Sequence, residues 1–382
     1  METIIKLSGL GDTLLSYLLP FLFVLTIVVF FHELGHFLVA RWCGIGVKVF
    51  SIGFGPEIVG FTDRLGTRWL LSWIPLGGYV KFIDDDNVAS TQSGRKTLEH
   101  LSEEDRKRSF QGKPLWARAA VVAAGPFANF VLAIVIFTAI FTFFGERTTA
   151  AKVDVVNAGS AAERAGFLPG DRVVSIDGQA IESFGQMQRI VGMSPGQALH
   201  FWVDRDGKAV EIVATPELKE ITDHFGNTMR IGLLGIQRNA SPDDWTLKRH
   251  DPLTAFGMAL KECYFVISRS LGYLYDVATG REAADQLGGP IRIAQVSGQV
   301  ATAGFLALLN LAAIVSVSIG LINLFPIPML DGGHLLFYGI EAIRGRPLSE
   351  STQEIGFRIG LAFVLMLMIF ATWNDLIHLK FL

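Results

Sequence analysis

His32-Glu33-Leu34-Gly35-His36 puts two imidazoles and a carboxylate into five consecutive residues of an apolar stretch. Four residues turn a helix by about 400°, so the two rings leave one face, about 6 Å apart along the axis, and can share one ion. Zinc suits imidazole nitrogen, and a hydrolytic zinc site takes three protein ligands and leaves a position for water. Glu33 is then the group that takes a proton from that water and hands it to the leaving amine. The chemistry is hydrolysis of a peptide bond. The plainer alternative is a polar pairing that holds helices together. Ionisable groups inside an apolar span are costly and usually functional, which favours the first reading.

The elements that must position these residues are membrane spans. Half of the 382 residues are hydrophobic, only 18% are charged, and Phe alone occurs 29 times. A soluble surface has no use for that much apolar area. The net charge of −3 offers no concentrated basic face, so no nucleic-acid partner is expected. Four apolar stretches run from about Leu14 to Ala40, Ala119 to Phe144, Phe305 to Leu324, and Ile359 to Trp373. The first three reach the roughly 20 residues that a helix needs to cross hydrocarbon. The fourth is short and is expected to extend by a turn at each end. The first carries the chemistry and is read as retained rather than as a cleaved signal.

Lys and Arg near the span ends set the orientation. Arg41 and Lys48 follow the first span, and Arg106, Lys107, Arg108, Lys113 and Arg118 precede the second, so the connection between them is cytoplasmic. Residues from about 145 to 300 then lie outside, Arg344 and Arg346 follow the third span inside, and the C-terminus is outside. Cys43 and Cys263 fall on different sides or at different depths, so no disulfide joins them.

With this topology a third ligand can be sought. A His six residues after the second is replaced by Trp42. Glu57 has nearly the spacing of a ligand from a following helix, but Gly53-Phe54-Gly55-Pro56 before it cannot be the middle of one. Asp331, in NLFPIPMLDGGH (323–334), is the better candidate, because spans one and three both run inward and carry their motifs at their inner ends. A simple turn at Asp331-Gly332-Gly333 is the alternative. His334 is a lesser candidate, as an extra ligand or a group behind one. Pro326 and Pro328 interrupt the third span and free carbonyls that could pair with an extended substrate segment; alternatively they only end the span. Gly125-Pro126 in the second span reads as a kink and close approach, with Asn129 bonding across helices, or as packing alone.

The segments between spans differ in kind. KVFSIGFGPEIVG (48–60) and WLLSWIPLGGYVKF (69–82) are Gly-rich and strand-like, as strands or re-entrant hairpins, and 84–109 is polar and reads as a loop. Residues 151–240 alternate β-branched runs with turn signals, including a hairpin at Asp206-Gly207, and hold two helical stretches. Pro252 to Leu274 has helical apolar spacing and reads as an amphipathic helix on the membrane face. The fold class expected is a polytopic α-helical membrane protein with four transmembrane helices, a membrane-associated β-region and one extracytoplasmic α/β module. Its divisions are 1–43, 44–117, 118–145, 146–240, 241–302, 303–334 and 335–382.

HELGH in a first span, AGPFAN in a second and NLFPIPMLDGGH in a third together resemble the site-2 protease family of intramembrane metalloproteases, especially the bacterial regulator-of-sigma-E type. GFGP, PLGGYVK and LGGPIRIA extend the likeness to nearly the whole chain. The resemblance implies Zn2+ held by His32, His36 and Asp331, Glu33 as acid and base, and Asn323 and Pro326 in contact with the substrate strand. Gly125, Pro126 and Asn129 match the family's second-span motif. It further implies a bacterial inner-membrane enzyme whose partners are the lipid bilayer and single-span membrane proteins, such as a trimmed anti-sigma factor or a remnant signal peptide. GSAAERAGFLPGDRVVSIDGQAI resembles a PDZ domain, with room for one such module where the best-known member carries two. That module either binds peptide or filters substrates by the size of their ectodomains.

Overall fold

The computed structural model describes residues 2–84, 102–222, 228–281, 284 and 288–378. The chain divides into two compact units, one formed by 1–138 with 255–382 and the other by 139–254. Among the described residues four helices are long and apolar enough to cross a membrane: Leu15–Trp42, Leu115–Phe144, Phe305–Asn323 and Ser351–Ile377.

Helix α1 (Glu2–Trp42) ends at Gly44, whose φ of 68° suits glycine. The Gly44 and Ile45 N–H groups donate back to Arg41 and Ala40, closing the helix with the paired bonds of a Schellman cap. The chain then enters the antiparallel pair β1 (Val47–Thr62) and β2 (Arg68–Phe82). Their ladder shifts register repeatedly, and Gly53 and Gly55, both at φ 90°, sit where it does. Phe50 and Val47 pack on Phe37 and Ala40 of α1 and on Val121, fixing the pair against the helix that carries both histidines. At the turn Asp63 accepts from the Leu65 and Thr67 N–H groups and pairs with Arg41 at 2.9 Å. Of the loop expected over 84–109, residues 85–101 lie outside the described ones. The rest contains a short helix α2 (Glu103–Arg108) capped by Ser102. Helix α3 (Leu115–Ala139) continues into a wider π-turn at Ile140–Phe144.

The second unit is a mixed α/β module. Its main sheet has four antiparallel strands in the order β4 (Gln179–Ala180), β3 (Arg172–Ile176), β5 (Leu199–Arg205), β6 (Lys208–Ala214). Asp206 and Gly207 both have positive φ, 51° and 82°, which is the geometry a two-residue hairpin needs. Alternate residues Phe201 and Val203 point inward onto Val173, Ile176 and Ile212, and helices α4 (Ala161–Ala165) and α5 (Phe184–Gly192) close the core with Ala162, Met187 and Val191.

The first unit resumes with α6 (Pro252–Ala278), which buries Ala255, Ala259 and Cys263 and leaves Leu253, Phe256, Leu260 and Tyr264 exposed. Helix α7 (Pro290–Thr302) packs so closely on α1 that a Cβ on Gly298 would meet the Tyr17 ring at 2.1 Å. Helix α8 (Phe305–Asn323) sets Leu308 and Ala312 against Val24. Helix α9 (Asp331–Arg344) follows a short loop, and α10 (Glu350–His378) ends the chain's regular structure. The buried Asp375 of α10 accepts from the Gly289 and Arg292 N–H groups at 2.9 and 3.0 Å and so caps α7. The fourth span is longer than a turn added at each end of 359–373. It starts at Ser351, because exposed Glu354 and Arg358 pair one turn apart on the helix and let it run on past the apolar stretch.

One buried charge holds the second unit together. Asp171 is fully buried; Arg205 donates to its two oxygens at 2.7 and 2.8 Å, and the Leu168 N–H donates at 2.9 Å. Burial alone pushes the carboxyl up, but the guanidinium and the N–H outweigh it and hold it below the usual range. A depressed value in the folded state adds stability that is complete above the unfolded pKa of about 3.9 and is lost as pH falls through the folded value. Asp171→Asn is therefore expected to destabilise this unit by about 2–3 kcal/mol at neutral pH. It should also flatten the stability loss below about pH 4, as read by urea-dependent proteolysis of the full chain.

Candidate metal centre

Helix α1 brings His32 and His36 onto one face, as four-residue spacing requires, and turns both Nε2 atoms toward one point 3.2 Å apart. Asp331 arrives from the far end of the sequence. Its Oδ2 lies 3.2 Å from His32 Nε2 and 3.6 Å from His36 Nε2. Among the described residues these three form the group of His, Cys, Asp and Glu side chains able to hold a metal ion, with all ligand atoms within 4.8 Å of one another.

The donor set fits zinc. A tetrahedral ion about 2.0–2.1 Å from each ligand atom separates those atoms by roughly 3.3–3.4 Å, and the observed edges of 3.2, 3.2 and 3.6 Å bracket that value. The charges argue the same way. Asp331 Oδ2 is buried with no hydrogen-bond donor in bonding geometry, a cost that a cation beside it removes. His36 Nδ1 lies 2.8 Å from the Val121 carbonyl, which can only accept, so the ring proton is on Nδ1 and the Nε2 lone pair faces the cluster.

Glycines make the approach feasible. A Cβ on Gly125 would lie 2.3 Å from His36 Nε2 and 2.9 Å from His32 Cε1, so α3 presents bare backbone where the rings need room. Gly35, between the histidines, lies where a Cβ would strike the Ala124 carbonyl at 2.3 Å. Glu33 is half-buried beneath β2, and a Cβ on Gly78 would come within 3.0 Å of its Cγ. The start of α9 at Asp331-Gly332-Gly333 is equally tight. Cβ atoms on its glycines would meet the carbonyls of Leu324, Phe325 and Ile327 at 2.3 Å.

The third span does not run through to Asp331. Helix α8 stops at Asn323, residues 324–330 form a loop, and Asp331 opens a new helix. Its carboxylate therefore sits at the positive end of α9, which favours the charged form. Asn323 stands at the last position of α8 and Pro326 is exposed in the loop, where Met329 holds a φ of 89°, a strained value for a residue with a side chain. Pro126 lies inside α3, and Asn129 is fully buried beside His32. Two other candidates stand apart. Glu57 pairs with Arg68 across the β1–β2 pair at 2.6 Å, and the His334 ring packs 5.3 Å from Phe357. Sequence reasoning missed the Val121 carbonyl, because any residue can supply one. It left Gly125 between a kink with close approach and packing alone, although a glycine four residues before Asn129 on the facing span was a usable signal for room beside the rings.

The pattern of Peptidase family M50 matches residues 20–367. A provisionally named zinc metalloprotease of Agrobacterium fabrum is 49% identical over 376 residues, covering 98% of this chain and 99% of the relative. A second from Mesorhizobium japonicum is 50% identical over 362 residues, covering 95% and 99%. Metalloprotease MmpA of Caulobacter vibrioides is 39% identical over 384 residues, covering 95% and 96%. The fold and site together define a multi-pass membrane zinc metalloprotease in contact with the lipid bilayer. The chain belongs to peptidase family M50.

Gly125→Ala is expected to push the two rings apart and weaken zinc binding at least about tenfold, with helix content unchanged. Chelator competition on the purified variant, beside circular dichroism, checks this.

Proposed function

We propose that this enzyme hydrolyses peptide bonds within the transmembrane segments of single-span membrane proteins, as the cutting step of regulated intramembrane proteolysis. One observation carries the reading: two imidazoles from a membrane-spanning helix meet a carboxylate from a distant part of the chain at one point. In this reading His32, His36 and Asp331 hold the zinc. The chemistry the zinc supplies when bound is polarisation of the scissile carbonyl and acidification of water. Glu33 takes the proton onto a carboxylate oxygen, keeps it while the carbonyl carbon is attacked, and delivers it to the amine nitrogen as the C–N bond breaks.

A helical substrate hides its peptide bonds, so it must be drawn out before it is cut. Asn323 and the loop at Pro326 receive the extended strand; the exposed Pro326 and the break between α8 and α9 support this. Gly125, Pro126 and Asn129 make the second span the close-fitting wall of the site. The segments 1–43, 118–145, 303–334 and 335–382 carry the spans, 44–117 is the cytoplasmic β-region, and 241–302 lies along the membrane surface. Residues 146–240 form a PDZ-like module outside the cytoplasm; the mixed α/β core of that unit supports the assignment. Positive charge beside the first and second spans supports the orientation, in a bacterial inner membrane. The module either binds peptide or excludes bulky ectodomains, and the substrates are anti-sigma factors already trimmed by another protease, or remnant signal peptides.

The test is direct. Wild type and Glu33→Gln, purified in detergent, are each expected to hold about one zinc per chain, and only wild type is expected to cleave a single-span substrate within its hydrophobic segment. Equal cleavage by both proteins, or cuts confined to soluble loops, would end the proposal.

A further inference from the structure

Each ligand imidazole needs a partner for its second nitrogen, since that bond decides which nitrogen keeps the lone pair. His36 has the Val121 carbonyl. His32 Nδ1 faces the side-chain amide of Asn129, with Nδ2 at 3.3 Å, while Asn129 Oδ1 is buried with no partner. An NH2 group facing Nδ1 would have to donate to it, which places the ring proton on Nε2 and blocks the metal position. The two ends of a carboxamide have the same shape, and a half-turn about Cβ–Cγ exchanges them without moving a neighbour.

We propose that Asn129 is a positioning residue whose side-chain carbonyl accepts the His32 Nδ1 proton and so directs the Nε2 lone pair at the zinc. The inference rests on the metal-site reading above. The half-turn places Oδ1 on a donor and aligns His32 with His36. Val121, Gly125 and Asn129 follow one another at four-residue spacing on a single face of α3. That face supplies an acceptor for one ring, then an opening for both rings, then an acceptor for the other. Asn129 is itself fixed from the third span. It is wholly buried, and its backbone carbonyl accepts from Ser316 Oγ of α8 at 2.9 Å, a bond that substitution of the side chain leaves in place.

The experiment compares the full-length protein with Asn129→Leu, Asn129→Asp and His32→Ala, measuring zinc affinity by chelator competition and the visible absorption of the cobalt-substituted forms. Asn129→Ala repeats the leucine test if leucine does not fit. The leucine or alanine variant is expected to bind zinc about 10–100-fold more weakly and to shift the cobalt bands. The aspartate variant, which can only accept, should stay within about threefold of wild type. Packing alone would make leucine and aspartate behave alike, and either result, both weak or both unchanged, overturns the inference. His32→Ala separates this from the ligand assignment. Undiminished zinc there sinks the three-ligand reading itself, whereas loss there with an unaffected leucine variant sinks only the role given to Asn129.

Discussion

Two imidazole nitrogens and a carboxylate oxygen held 3.2–3.6 Å apart among apolar spans require a positive charge among them, and zinc is a cation that this donor set fits. Two imidazole lone pairs and a carboxylate oxygen repel one another, and each has given up water that a bilayer cannot return. The requirement reaches beyond the ligands. A carboxylate at the start of α9 faces the helix's positive end, and the His36 ring gives its proton to a carbonyl of the neighbouring span. Each neighbour removes a cost that the isolated groups would bear.

Close helix contact is the second consequence. Hydrocarbon offers no hydrophobic drive for helices to associate, so small residues that let backbones approach do the joining. Gly35 against Ala124 binds α1 to α3, and Gly320 against Pro126 and Asn129 binds α3 to α8. A Cβ on Gly360 would strike the Pro328 carbonyl at 2.0 Å, so the fourth span lies directly on the loop that leads to Asp331. The site is thus enclosed by bare backbone on several sides. A methyl group at Gly35 or Gly360 would strike backbone at 2.3 or 2.0 Å and so displace a whole element rather than a side chain, while one at Gly320 would be tight at 3.0 Å.

How much of this could be read from the sequence depends on how far apart the interacting residues lie. HELGH was legible because both rings and the carboxylate belong to one helix, where spacing alone sets the geometry. Asp331 required only the direction of two spans, which the charges near their ends supply. The break at Asn323 was less legible: two prolines marked an interruption but not that a fresh helix would begin at Asp331 itself. The fourth span was underestimated because hydropathy registers apolar residues, whereas a helix also continues through a paired Glu354 and Arg358. Hidden most fully were close approaches between elements far apart in sequence, such as Gly78 of β2 over Glu33 of α1, since those depend on how whole elements are placed.

The orientation of α9 shows how an interaction of small net stability can still govern the site. Arg118, near the start of α3, pairs with Glu341 at 2.6 Å and lies over the Tyr338 ring at 5.0 Å, with both charged groups mostly buried. Such a pair repays little more than its own desolvation. Stranding one partner is a different matter, since an unpaired charge in that setting costs about 3–5 kcal/mol. Glu341 stands ten residues, nearly three turns, along α9 from Asp331. Rotating α9 enough to withdraw Asp331 from the imidazoles would therefore also pull Glu341 from Arg118. The ion pair resists that rotation far more strongly than its net contribution to folding implies, so the carboxylate that meets His32 and His36 is held from both ends of one short helix.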